Sequence, residues 1–235
     1  LFMKIIGEGY PLLIMHGGPG ADHSTMLPLQ RCADQFSLIF YDHRCNGRSL
    51  GADVTSMTWE NLTADAETLR QTLGFAKWAV LGHSFGGMVA LEYALRYPQN
   101  LSHLLLMDTC GDTWWVQHNA PNVLAKRGYN AAAVQAARRF FNGQLEPKEV
   151  LPAMLKFGRA YYYNSSFLRY ARGVSSGFRV KMQPDALIFG FSQMLKGWTV
   201  VERLHEIEVP TLVLAGRDDF QFPPEHQVTL ADRIP

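Results

Sequence analysis

The sequence predicts an α/β fold, a mostly parallel sheet flanked by helices and interrupted by a helical insertion. Three observations predict it. Short apolar runs bounded by turn residues recur at PLLIMH (11–16), SLIFYD (37–42), WAVLGH (78–83), LLLMD (104–108) and TLVLAG (211–216). Runs of this length suit strands buried on both faces, as in a parallel sheet. Helical patterns lie between them, and strand–helix alternation with short connections is the mark of an α/β layer. The alternation stops from about residue 112 to 200 and resumes at Val209.

Each element has its own reason. TWENLTADAETLRQTLG (58–74) carries Leu62, Ala66, Leu69 and Leu73 at helical spacing. FGGMVALEYALRYP (85–98) repeats the pattern and is stopped by Pro98. AAAVQAARRFF and EPKEVLPAMLKFGRAYYY read as helices within the insertion, and no strand pattern interrupts them. The boundaries expected are a core domain of residues 1–111 and 201–235 and a cap of residues 112–200. The chain opens on apolar LFMKIIGEGYP and closes on TLADRIP, a helix running out. Residues missing at both ends, and a sheet lacking its last strand, are therefore expected.

Composition limits the function classes. Two hundred and thirty-five residues suffice for one large core plus an insertion. A net charge of +1 argues against a general nucleic-acid binder. Cys32, Cys45 and Cys110 are odd in number and lack metal-ligand spacing, which suits reduced thiols and a cytoplasmic location. No apolar run reaches membrane-spanning length, and no signal-peptide pattern opens the chain. Oligomeric state leaves no trace in the sequence.

The chemistry gathers in two motifs. Gly82-His83-Ser84-Phe85-Gly86 fits G-x-S-x-G between a strand and a helix. A turn that sharp has no room for side chains beside the serine, and it lifts the hydroxyl above the sheet edge. The helix that follows aims its N-terminus at developing negative charge. The alternative is an ordinary Gly/Ser turn. His16-Gly17-Gly18-Pro19-Gly20 follows the first strong strand, where glycines let backbone N–H groups approach an oxyanion. Gly18 and Phe85 are the expected main-chain donors; a plain tight turn is the alternative. A phosphate loop fits poorly, because the Walker lysine is absent.

HGGPG, YDHRCNGRS, GHSFGGMVALEYA and VPTLVLAGRDDFQFPPE, in that order, resemble the α/β-hydrolase superfamily and, within it, the proline-iminopeptidase-like branch. Cys45 stands where such relatives usually have glycine. The resemblance implies a Ser–acid–His triad on an α/β-hydrolase fold, without metal or organic cofactor. Ser84 is then the nucleophile and Asp219 the acid, with Asp218 the runner-up and a solvated turn aspartate the plain alternative for either. The histidine should follow one further helix and strand, and is expected beyond Pro235. His16, His43, His83, His103, His118, His205 and His226 do not fit that place.

The implied function is a serine hydrolase cleaving a small ester, lactone, amide or short peptide through an acyl-enzyme. Proline iminopeptidase activity and a non-catalytic ligand-binding module on the same fold are the alternatives. The charge distribution bears on the choice. Residues 113–199 carry a net +9 and the remainder −8. If that basic cap faces the pocket, anionic substrates gain over a free amino-terminal proline; otherwise the cations face water. The insertion's aromatics, from Trp114 and Trp115 through Tyr161–Tyr163, Phe167, Tyr170 and Phe178 to Phe191 and Trp198, should pack the cap and line an apolar pocket.

Overall fold

A computed structural model describes residues 1–162 and 180–235. The sheet has six strands: β1 (Met3–Ile6), β2 (Tyr10–Met15), β3 (Phe36–Tyr41), β4 (Trp78–His83), β5 (Leu101–Met107) and β6 (Thr211–Leu214). Their order is β1-β3-β2-β4-β5-β6, with β1 antiparallel to β3 and every other pair parallel. The sheet thus winds outward in both directions from β2 and β4. The C-terminal ends of those two strands, where ligands bind in open α/β sheets, carry the two glycine motifs.

Alternate residues of β2 and β3 fall into different apolar clusters. Leu13, Met15, Ile39 and Tyr41 pack on one face, and Leu12, Ile14, Leu38 and Phe40 on the other. This double burial explains the unbroken apolar runs. On the first face lie α1 (Trp59–Thr72), whose Leu62, Ala66 and Leu69 are buried, and α2 (Phe85–Arg96). The Thr58 hydroxyl caps α1 by accepting the Asn61 N–H at 3.2 Å. Between the two helices, Glu67 accepts from Arg70 and from the Tyr93 hydroxyl, which itself accepts from Trp78 Nε1.

β1 escapes prediction because Met3 and Ile5 are exposed on an edge strand, so no buried pattern marks it. Its existence rests on pairing with β3, a tertiary fact. At the opposite edge, Leu212 and Leu214 of β6 are exposed.

Between β5 and β6 run α3 (Trp114–His118), α4 (Ala120–Lys126), α5 (Ala131–Phe141), α6 (Val150–Phe157) and α7 (Pro184–Phe189), followed by a π-helical turn at Gly190–Met194. The points of exit and return are fastened together. Asp112 and Thr199 form an isolated antiparallel bridge, and Val200 N–H donates to Gly111 O at 2.8 Å. Trp198 Nε1 donates to the buried Glu92 carboxylate of α2 at 2.7 Å, which anchors this neck to the core. We propose residues 112–200 as a cap on that basis. Its interior is a cluster of Phe140, Phe141, Phe157 and Phe191, with ring centroids 5.3–5.7 Å apart. After β6 comes α8 (Pro224–Arg233), whose Leu230 is buried against the core. Tyr163, Phe167, Tyr170, Phe178 and the bases Arg169, Arg172 and Arg179 lie outside the described residues.

Candidate active site

Ser84 sits at the corner between β4 and α2 with φ 55° and ψ −122°, a conformation rarely held by a residue with a side chain. Close packing enforces it. A Cβ on Gly82 would stand 2.4 Å from Gly86 O, and one on Gly86 2.2 Å from Met15 O. The Ser84 N–H donates to Met107 O at 3.0 Å, and its carbonyl accepts from the Thr109 hydroxyl at 2.7 Å. The strained residue is therefore pinned from the neighbouring strand, and such strain clusters where it serves a function.

The glycine loop closes on this corner. A Cβ on Gly17 would lie 2.9 Å from His83 Nδ1 and 3.2 Å from Ser84 Cβ, so the loop packs directly on this corner. Gly18 has φ 138° and precedes a cis proline, Pro19. Gly18, Ser84 and Phe85 are among the residues that line a nook of about 10 Å³, room for about one water-sized group, with Met88, Val116, Phe191 and Gln221 among the others. Phe85 opens α2, where N–H groups have no acceptor within the helix.

Above the nook is a cavity of about 790 Å³. The core contributes its polar edge: Gly17, Gly18, His83, Ser84, Asp108 and the turn Gly216–Asp219. The cap contributes an apolar wall that includes Phe140, Met154, Leu155, Tyr161, Met182, Leu187 and Phe191.

The two neighbouring aspartates are now distinguishable. Asp219 is half-buried at the cavity, and its Oδ1 accepts the N–H groups of Gln221 at 2.7 Å and Phe222 at 3.1 Å. Asp218 is exposed, and it is its carbonyl that engages the Arg127 guanidinium, at 2.7 Å. Burial pushes the Asp219 carboxyl up. The two N–H groups oppose this, Asp108 adds to it, and Arg127 again opposes it.

Asp108, which sequence reasoning passed over as the end of a strand, is a second cavity carboxylate. It has φ 43°, and its Oδ1 accepts the Gly216 N–H at 2.6 Å. Gln221 was missed as well; its buried side chain reaches both the nook and the cavity. Nothing local marks either residue, since the sequence does not show which strand ends become neighbours.

Among the described residues no histidine is hydrogen-bonded to Ser84 or Asp219. His16 and His43 are fully buried and saturated. His16 Nδ1–H donates to Gly17 O at 2.6 Å and Nε2 accepts the His43 N–H at 3.2 Å. Tyr41 O–H donates to His43 Nδ1 at 2.9 Å, and His43 Nε2–H donates to His16 O at 3.3 Å. Burial lowers His16 to about 4 and His43 well below the ordinary histidine value, so both are neutral near pH 7. His23 is committed to Asp42 at 2.6 Å. His83 lines the cavity beside Ser84, with its Nδ1 buried and unpartnered.

Among the described residues no cap lysine or arginine lines this cavity. Arg139 pairs with Glu149 at 2.6 Å and Lys148 with Glu146 at 3.1 Å, while Lys126, Lys156, Arg159, Lys181 and Lys196 are exposed. Of the two readings of the basic cap, the described cations follow the second, paired or facing water, and the described cap residues that line the cavity are mostly apolar.

Comparison with known proteins agrees with this geometry. The alpha/beta hydrolase fold family profile matches residues 10–235, and the chain belongs to that family. It is 26% identical over 232 residues to a proline iminopeptidase of Saccharolobus solfataricus, covering 92% of this chain and 72% of that one. An α/β fold family hydrolase from Bacillus anthracis superposes with a TM-score of 0.78 at 21% identity, covering 99% of this chain and 84% of that one. A proline iminopeptidase of Mycobacterium smegmatis gives 0.74 at 24%, covering 99% and 83%. The chain is thus an α/β-hydrolase-type enzyme similar to the proline-iminopeptidase-like branch. Among the described residues no helix is long and apolar enough to cross a membrane.

Proposed function

We propose that Ser84 is the nucleophile of a two-step acyl transfer to water, with small esters or amides bearing an apolar acyl group as substrates. The observation that carries this is the strained Ser84 beside the Gly18–Phe85 nook, at the floor of an apolar cavity. Ser84 Oγ bonds to the carbonyl carbon as its proton passes to a histidine. The oxyanion is held by the N–H groups of Gly18 and Phe85. The leaving alcohol or amine departs with that proton, and water then cleaves the acyl-enzyme, returning a proton to Ser84. Asp219 orients that histidine.

Proline iminopeptidase activity is the second reading, and one observation favours it. Among the described residues, the acidic and basic side chains that line the cavity are Asp108, Asp218 and Asp219 against Arg217, a balance that suits a substrate ammonium better than a carboxylate. The names of the similar curated protein and of one solved structure point the same way.

A serine-directed fluorophosphonate should label the full protein and not Ser84→Ala. Equal labelling of both removes Ser84 from the role, and absence of labelling in both favours a non-catalytic binder. Comparing kcat/KM for a proline arylamide, a neutral aryl ester and its carboxylated analogue then ranks the substrates. Dominance of the arylamide selects the aminopeptidase.

A further inference from the structure

Two distant parts of the chain grip the glycine loop from opposite sides. Gly20, two residues past Gly18, donates its N–H to Asn46 Oδ1 at 2.5 Å, and its carbonyl accepts the Gln183 N–H at 2.7 Å. Gln183 Nε2 donates in turn to Gly47 O at 2.9 Å. These contacts close a ring joining the glycine loop, the loop after β3 and the entrance to α7.

The core side of the ring is fixed. Asn46 is fully buried and donates from Nδ2 to Arg44 O at 2.7 Å. The buried Asp42 carboxylate holds the same loop by accepting the N–H groups of His23 at 2.9 Å and Arg48 at 2.7 Å. The cap side fits without slack. A Cβ on Gly190 would stand 2.2 Å from Pro19 Cγ, and one on Gly20 2.8 Å from Leu187 Cβ. This cap segment also gives Met182, Leu187 and Phe191 to the cavity wall.

We propose that Gln183 is a positioning residue that seats the cap on the oxyanion loop, so that the wall touching substrate and the loop stabilising the oxyanion move as one body. The proposal rests on the serine-hydrolase reading above. Oxyanion donors act only when aimed at the oxygen of the transition state, so slack in the loop costs the transition state and spares ground-state binding. Gln183 therefore acts on kcat through Gly20 and Gly18, without touching substrate.

The test uses the full protein with an aryl ester and an aryl boronic acid, whose trigonal boron bonds Ser84 Oγ as the proton leaves to the base. Gln183→Met keeps the side-chain volume and removes the donor. Its kcat should fall about 10-fold with KM within about twofold, and boronic acid affinity should fall by the same factor as kcat. Gln183→Glu should show a deficit, relative to the wild type, that narrows as pH is lowered and its carboxyl regains a proton to donate to Gly47 O. Unchanged kcat and boronic acid affinity, or a raised KM with kcat intact, would overturn the proposal. Hydrogen exchange on the wild type serves if the variants do not fold: amides of 18–22 and 183–190 should gain protection together on adduct formation. Protection confined to 18–22 overturns the coupling. A wild type that forms no adduct overturns the Ser84 reading and this proposal with it, and that result is seen before any Gln183 variant is made.

Discussion

The sheet edge and the cap face each other across one cavity, and they are built on opposite principles. The edge concentrates strained backbone and polar atoms: Ser84 and Asp108 hold positive φ, and Asp219 is half-buried with its carboxyl pushed up. The cap turns aromatic and aliphatic side chains to the same space, and among the described residues none of its lysines or arginines lines it, though Arg127 reaches the rim at Asp218 O. Chemistry needs groups held against their own preferences, which the rigid sheet supplies here. An acyl pocket needs apolar area, which helices give without strain. The difference teaches that net charge by domain says little about the charge a substrate meets.

Substitutions at the edge should therefore be costly and those on the cap's cations cheap. Ser84→Ala should lower kcat by at least about 10⁴-fold in an ester assay, with the cap wall left to bind substrate as before. A smaller loss would move the nucleophile elsewhere.

Asp219→Asn should cost about 10²- to 10⁴-fold in kcat, whereas Asp218→Asn should stay within about threefold. The two variants also separate by stability. The native state holds the Asp219 proton more tightly than the unfolded chain does, so this group's contribution is present at low pH and lost as pH rises through its native pKa. The neutral amide escapes that loss and can still accept from Gln221 and Phe222. Asp219→Asn should thus melt roughly 2–4 °C higher near pH 7 while being inactive. A lower melting temperature would show that the carboxylate is structural.

Acid should test the support beneath the edge. The unfolded chain protonates His16 near its ordinary value of 6.5, the folded one only near 4. Stability from this group is complete above pH 6.5 and drains as pH falls to about 4, by at most roughly 3 kcal/mol. Urea midpoints across that window check it, and His16→Asn should flatten the slope. The smallest effect should come from the cap: Lys156→Gln and Arg159→Gln should leave the ratio of kcat/KM for carboxylated and neutral esters within about twofold at low salt. A larger change would bring the cap's charge back into the pocket's chemistry.

Much of this was legible in the sequence, because local rules govern it. Five of the six described strands announce themselves by apolar runs, and for β2, β3 and β4 burial on both faces is the reason that no polar position breaks them. The Ser84 corner shows as glycines with no room for a Cβ, and the order of motifs suffices to place Gly18 and Phe85 beside it. Tertiary structure alone decided the rest. β1 exists through pairing with β3, and Asp219 and Asp218 part company only when the turn docks on the cavity. Asp108 comes to line the cavity because β5 lies between β4 and β6, and which described cap residues line it follows from which helix faces pack inward. These are contacts between residues far apart in the chain. Their energies depend on burial and alignment that no short stretch of sequence encodes.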